Sequence, residues 1–220
     1  MISVWCMNTG GFAPDEEVYT LKRQVDRHLS EPHEFVCITE KDIDGIETAK
    51  PINDLPGWWG KINLFAPTVS RQRNLWIDLD SVIVRSLNSC VAPLSGKQIR
   101  CGLNWAKSGF GSCQGTLVYW EGDSARIISD KFNHADAHWP PVNGKMWDNG
   151  QNQWSEQEWM TYLRDTGQLS VEYFKNSELR SYKYHCRGLD KPPHTSVVAF
   201  HGSPKPGEVE DDWVMECRAK

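Results

Sequence analysis

About a third of the way along the chain an apolar run meets two carboxylates, Leu75-Trp76-Ile77-Asp78-Leu79-Asp80-Ser81-Val82-Ile83-Val84. In an extended chain side chains alternate, so Asp78 and Asp80 share one face while Ile77 and Leu79 take the other. Two carboxylates side by side repel. A hard divalent cation relieves that repulsion by taking oxygen ligands, and its open positions then carry phosphate oxygens. The bland alternative is a strand running into a solvated Asp-rich turn. Apolar residues on both sides of the pair favour acids held near a buried edge.

The segments around this strand alternate in period. Ile2 to Met7 is a short apolar run that opens on Asn8-Thr9-Gly10-Gly11, a strand delivering a polar loop. Glu16 to Leu29 carries Val18, Leu21, Val25 and Leu29 at helical spacing, with Pro14-Asp15-Glu16-Glu17 suited to a helix start. Phe35 to Thr39 is a second strand, and Ile46 to Pro51 a short third element. Strand, helix, strand in the first forty residues is the opening unit of a parallel sheet.

Further on, Gly57 to Phe65 reads as a short helix or irregular segment. Strands are expected at Gln98 to Leu103, Thr116 to Trp120, Val171 to Phe174, Leu179 to Tyr184 and Ser196 to Phe200. Helices are expected over Asp123 to Phe132 and Ser155 to Leu163, the second opened by a capping box of Ser155 and Glu158. Residues 133–153 read as an irregular surface loop, although His134, Asp136 and His138 alternate in a way that also suits a transition metal. Val209 to Lys220 is a closing tail.

Composition removes several function classes. A formal net charge of -5 argues against a broad basic surface for nucleic acid. Gly10-Gly11 lacks the Gly-x-Gly-x-x-Gly spacing of a dinucleotide fingerprint. The seven cysteines contain no Cys-x-x-Cys pair, and an odd number fits reduced, buried thiols better than a disulfide framework. No run of eighteen apolar residues exists and the N-terminus lacks a signal-peptide pattern, so a soluble, cytoplasmic protein is expected. Eleven tryptophans, among them Trp58, Trp59, Trp139, Trp147, Trp154 and Trp159, could stack on flat or sugar-like groups, but core and boundary packing is the simpler role for each.

Taken in order, Pro56 to Phe65, Leu75 to Val84, Gly115 to Trp120, Glu156-Gln157-Glu158-Trp159 and Phe200-His201-Gly202-Ser203-Pro204-Lys205-Pro206 resemble the nucleotide-sugar glycosyltransferases of the GT-A fold, in particular glycogenin-like and galactosyltransferase-like members and their compact bacterial and phage relatives. The resemblance covers nearly the whole chain. It implies an α/β, single-domain, Rossmann-like fold with a mostly parallel central sheet flanked by helices. The nucleotide-binding half would be about 1–90, the donor-sugar and acceptor half about 91–206, and the tail 207–220.

The resemblance further implies that Asp78, Asp80 and His201 hold manganese or magnesium against the diphosphate of a UDP- or GDP-sugar. Lys205 would grip a phosphate oxygen as the leaving group departs, beside Gly202. Cys6, Met7, Asn8 and Thr9 would hold the nucleoside. Lys61 would reach toward the donor or pair with Asp78. Glu156-Gln157 is similar to an Asp-Gln pair that touches the donor sugar, one methylene longer here. Gly115 corresponds to a glycine that follows an Asn-Ser pair in relatives, where this chain has Cys113-Gln114, a replacement that alters donor-sugar contacts. The lysine-proline pair is followed by Gly207 where relatives have tryptophan.

The expected activity is therefore metal-dependent transfer of a sugar, UDP-linked by preference, to an acceptor that the sequence does not identify: a saccharide, protein, lipid-linked glycan or modified nucleic acid. Glycogenin-like resemblance favours retention of configuration. Inversion would need a base on the acceptor side, for which Asp136, His138 and Asp148 are available. A loop such as 133–153 could exclude water during transfer. The rivals are a metal-dependent phosphohydrolase or nucleotidyltransferase, and a non-catalytic carbohydrate-binding protein.

Overall fold

The computed structural model describes residues 1–52, 55, 57–105, 111–132 and 155–219. In chain order the elements are β1 (Ile2–Met7), α1 (Asp15–His28), β2 (His33–Ile38), β3 (Glu47–Ala49), a 3-10 helix (Gly57–Phe65), β4 (Arg73–Ile77), β5 (Ser81–Ile83), β6 (Ile99–Leu103), β7 (Cys113–Glu121), α2 (Ile127–Asp130), α3 (Glu156–Asp165), β8 (Val171–Tyr173), β9 (Leu179–Ser181), a π-helical turn (Tyr182–Cys186), β10 (Val197–Ala199), a 3-10 turn (Pro206–Glu208) and α4 (Asp212–Ala219). No helix among the described residues is long and apolar enough to cross a membrane.

Seven strands pair in the order β3-β2-β1-β4-β7-β6-β8. All run parallel to one another except β7, which is antiparallel to both of its neighbours. Alternation along the strands divides the core into two faces. Val4, Cys6, Leu75, Ile77, Leu117 and Tyr119 pack with Val18, Leu21 and Val25 of α1. Trp5, Trp76, Val118 and Trp120 pack with Ile62, Leu64 and Phe65 of the 3-10 helix and with Trp159, Met160 and Leu163 of α3. Helix α1 forms where its apolar stripe predicts, with Asp15, Glu16 and Glu17 in the first turn favoured by the helix dipole.

The extended run expected through Asp78 and Asp80 is corrected by a break. β4 ends at Ile77, and the Ser81 N–H donates to the Asp78 carbonyl at 3.1 Å, closing a turn that carries both acids. The two aspartates therefore do not share a face by strand alternation. The turn sends the chain out of the main sheet into a second one, ordered β5-β10-β9. One side of it joins the α1 face through Ile83, Val197, Ala199 and Leu179. Its other side, Val82, Val84, Val198 and Phe200, is covered by Tyr182, Trp213, Val214 and Cys217, so the closing tail is an ordered helix. The helix expected over Asp123 to Phe132 is mostly turns, with Ile127–Asp130 alone helical.

This topology gathers the site. Because β7 runs opposite to β4, its first residues arrive at the edge where β1 and β4 end, and the Asp78 N–H donates to the Thr116 carbonyl at 2.9 Å. In the same region the Phe200 N–H, just past β10, donates to the Asp80 carbonyl at 3.0 Å, tying the second sheet to the aspartate turn. Ligand sites in open α/β sheets form at such strand ends.

Candidate active site

A cavity of about 470 Å³ opens at this edge. Of the residues expected to handle a donor, it is lined by Met7, Thr9, Lys61, Asp78, Asp80, Gln114, Gly115, Glu156, Gln157, His201, Gly202 and Lys205. Cys6 and Asn8 are placed differently. Cys6 is buried in the α1 face of the core. Asn8 builds the loop after β1, its Oδ1 accepting the Ala13 N–H at 3.1 Å and its Nδ2 donating to the Ala13 carbonyl at 3.0 Å. All seven cysteines are free and buried, as their spacing predicts. Trp59 and Trp159 lie in the core. His134, Asp136, His138, Trp139, Trp147, Asp148 and Trp154, and with them the loop expected to exclude water, lie outside the described residues.

Lys61 is the site's central cation. Its Nζ lies 2.7 Å from Asp78 Oδ1 and 2.9 Å from Glu156 Oε1, and 5.2 Å from the centre of the Trp76 ring. Of the two roles left open by the sequence, the pairing with Asp78 is present, and Glu156 is a second partner that the sequence did not announce. Burial alone would lower the lysine pKa, but the two carboxylates outweigh it and hold the ammonium above its ordinary value. The Trp76 indole N–H also donates to Asp78 Oδ1, at 2.9 Å. Two donors thereby fix one oxygen of this carboxylate.

Glu156 enters the cavity because α3 begins there. The Ser155 N–H and hydroxyl both donate to Glu158 Oε2, at 2.9 and 2.6 Å, so the expected capping box sets the start of the helix. Gln157 follows Glu156 at the cavity wall. Glu156 is only 4% exposed, and burial first of all raises its carboxyl pKa, with Lys61 opposing. A Cβ built on Gly115 would stand 2.3 Å from Glu156 Oε1, so glycine at 115 is what allows the carboxylate its place. Glu156 Oε2 is buried with no hydrogen-bond partner among the described residues. A buried acceptor left open in this way fits a hydroxyl donor on a ligand.

Across the cavity, Lys205 Nζ lies 2.6 Å from Asp80 Oδ2. Burial and then the charge of Asp78 raise the Asp80 carboxyl above the ordinary aspartate range, against Lys205 and Lys61. His201 is held by its neighbours: Trp105 Nε1 donates to its Nε2 at 3.1 Å, and Ser181 Oγ lies 2.8 Å from the same nitrogen. Indole is a donor only, so Nε2 carries the accepting lone pair and the neutral ring has its proton on Nδ1. Burial, then Lys183, Lys205 and His185, lower the His201 pKa and keep the ring neutral at pH 7.

The donor set fits a hard cation in part. Asp78 Oδ2 and Asp80 Oδ1 accept no hydrogen bond from the described residues, and the mutual repulsion of the two acids would be relieved by such an ion. Among the described residues, however, no three His, Cys, Asp or Glu side chains gather closely enough to hold a metal. The three expected ligands line one cavity without forming such a group.

Sequence reading passed over Phe12, Trp105 and Ser181. Phe12 is 74% exposed yet lines the cavity, its ring centre 5.8 Å from Lys205 Nζ. An apolar ring following Gly10-Gly11 was the available signal. Nothing in the spacing of Trp105, Ser181 and His201 marks them as one cluster.

No protein-family model matches this chain, and no curated protein matches its sequence. Solved structures do. The glycosyltransferase GlyE of Streptococcus pneumoniae TIGR4 aligns with 100% of this chain at 12% identity and a TM-score of 0.69. The bifunctional glycosyltransferase WbbM aligns with 100% of it at 8% identity and a TM-score of 0.65. The galactosyltransferase LgtC, solved with donor and acceptor sugar analogs, aligns with 100% of it at 11% identity and a TM-score of 0.64. The chain spans 61% of GlyE and 50% of WbbM, but 95% of LgtC. At these identities the likeness establishes architecture: the chain has the α/β fold of these glycosyltransferases, the GT-A fold.

Proposed function

We propose that this protein transfers a sugar from a nucleoside diphosphate sugar, UDP-linked by preference, to a separate acceptor. The observation that carries the proposal is the cavity wall. An aspartate and a lysine stand together on each side, Asp78 with Lys61 and Asp80 with Lys205, and the half-satisfied Glu156 carboxylate adjoins the first pair. A diphosphate needs the cations, and a sugar needs a carboxylate able to accept from its hydroxyls. The fold shared with GlyE, WbbM and LgtC supports the same reading.

In this scheme Asp78, Asp80 and His201 would hold Mn2+ or Mg2+. Such an ion supplies Lewis-acid stabilisation of the charge that develops on the departing diphosphate. Lys205 exchanges Asp80 for a phosphate oxygen and stabilises the same charge. Lys61 holds Asp78 and Glu156 in fixed relation, so that Glu156 faces the donor sugar with its orientation set in advance. Glu156 orients the sugar through its free oxygen and stabilises positive charge at the anomeric carbon. Gln157, Gln114, Thr9 and Met7 complete the wall that shapes donor choice. Retention of configuration goes with this proposal by analogy to glycogenin-like enzymes, and the acceptor classes stay those the sequence left open: a saccharide, protein, lipid-linked glycan or modified nucleic acid.

The test is incubation of the protein with a panel of UDP- and GDP-sugars, with and without Mn2+. Metal-stimulated release of nucleoside diphosphate is expected from at least one donor. Release of inorganic phosphate or pyrophosphate would instead favour the hydrolase, and glycan binding unaffected by donor or metal would favour a carbohydrate-binding protein.

Asp80→Asn is expected to lower that release about a hundredfold. Its effect on stability has the opposite sign. A carboxyl whose folded pKa is raised binds its proton more tightly in the folded state, so stability falls as pH rises from the ordinary aspartate value through the folded one. Ionised Asp80 therefore costs stability at neutral pH, and Asp80→Asn should melt no lower than wild type at pH 7, with the advantage shrinking on acidification through that window. Thermal melts across the range check this. A lower melting temperature at pH 7 would show that Asp80 serves the fold.

A further inference from the structure

The rim of the cavity carries a cation outside the donor-handling set. β9 ends at Ser181, and the chain then makes the π-helical turn Tyr182–Cys186, a rare wide turn found often at functional sites. Ser181 anchors it. Its Oγ accepts the Tyr184 N–H at 3.2 Å and lies 2.8 Å from His201 Nε2, while its own N–H donates to His185 Nδ1 at 3.1 Å. The Tyr184 ring stacks on His201 with centroids 5.5 Å apart. The turn and the segment after β10 are thus fastened together.

That fastening places Lys183 over Gly202. Its Nζ lies 3.5 Å from where a Cβ on Gly202 would stand, and Gly202 lines the cavity. Lys183 is exposed, and its ammonium makes no ion pair or hydrogen bond with the described residues.

Charge balance gives this lysine a task. The ionised side chains lining the cavity are the ammoniums of Lys61 and Lys205 against the carboxylates of Asp78, Asp80 and Glu156, an excess of one negative charge. A divalent cation on the aspartates would reverse that excess to one positive charge, still one short of neutralising a diphosphate that carries two negative charges. Both lysines in the wall are already paired with carboxylates, whereas Lys183 is not.

We infer that Lys183 is a second phosphate-binding cation of this site, reaching across Gly202 to an oxygen of the nucleoside diphosphate whose other side meets Lys205. The inference rests on the proposed donor class and adds a residue to it. Lys183 binds the leaving group and takes no part in choosing the sugar.

Calorimetric titration in the presence of Mn2+ tests it, with UDP, inorganic pyrophosphate and uridine as probes and with wild type, Lys183→Ala and Lys183→Arg as proteins. Lys183→Ala should bind UDP and pyrophosphate about tenfold more weakly, the loss of one charge-assisted contact, and uridine as wild type does. Lys183→Arg should restore most of the difference. Wild-type affinity of Lys183→Ala for UDP and pyrophosphate would overturn the inference while leaving the transfer proposal standing. An equal loss for uridine would overturn it too, by showing a structural defect. A wild-type protein that binds neither UDP nor pyrophosphate would remove both.

Discussion

Gly115→Ala should cost about a thousandfold in donor turnover, although it adds a single methyl group. The new Cβ would stand 2.3 Å from Glu156 Oε1. An exposed glutamate would swing aside at little cost. Glu156 is buried, sits in the first turn of a helix capped by Ser155 and Glu158, and holds Lys61 at 2.9 Å. Displacing it breaks that pair and turns away the carboxylate proposed to face the donor sugar. The breakage should also lower stability by about 3–5 kcal/mol, the usual cost of separating a buried ion pair. Donor-release kinetics and denaturant melts measure the two effects together. Near-wild-type turnover would show that the carboxylate has no work at that position.

The second large effect is expected at Lys61, now on stability. Lys61 is 6% exposed and touches two carboxylates, so Lys61→Met would leave Asp78 and Glu156 facing each other around an apolar side chain. A loss of about 3–5 kcal/mol is expected at neutral pH. Acid should return part of it. The Glu156 pKa is already raised by burial with Lys61 present, and without that opposing charge it rises further, so protonation relieves the repulsion at a higher pH than for an ordinary glutamate. Combining Lys61→Met with Glu156→Gln should likewise recover stability, and a double-mutant cycle then reports the coupling of the pair. A Lys61→Met protein as stable as wild type, with no recovery in acid, would mean that Lys61 is not the clamp described here.

Much of this arrangement was legible in the sequence because its causes are local. Helical spacing of Val18, Leu21 and Val25 placed α1, apolar runs placed β1, β2, β4 and β7, and Ser155 with Glu158 placed the start of α3. Asp78, Lys61, Gly115, Glu156, His201 and Lys205 were singled out by the resemblance, and the fold brings all six to one cavity.

What could not be read was decided by contacts between distant segments. A three-residue strand such as β5 looks like the continuation of β4, and the turn between them shows itself only through the Ser81 hydrogen bond to Asp78. Helix α4 is short, and it is ordered by packing Trp213, Val214 and Cys217 on a second sheet whose existence no local pattern announces. The same limit hid Lys183. In sequence it is a lysine between tyrosines, and it acquires a role only when Ser181 ties its turn to His201, 20 residues away.

The central claim is that this cavity separates a sugar from an intact nucleoside diphosphate, and phosphorus NMR of a consumed donor tests it most directly. After incubation of the protein with Mn2+ and a UDP- or GDP-sugar that it turns over, the spectrum should show the two coupled resonances of the nucleoside diphosphate, with its phosphoanhydride bond intact. Appearance of nucleoside monophosphate with sugar phosphate would mean that the anhydride is cleaved instead, and would contradict the account.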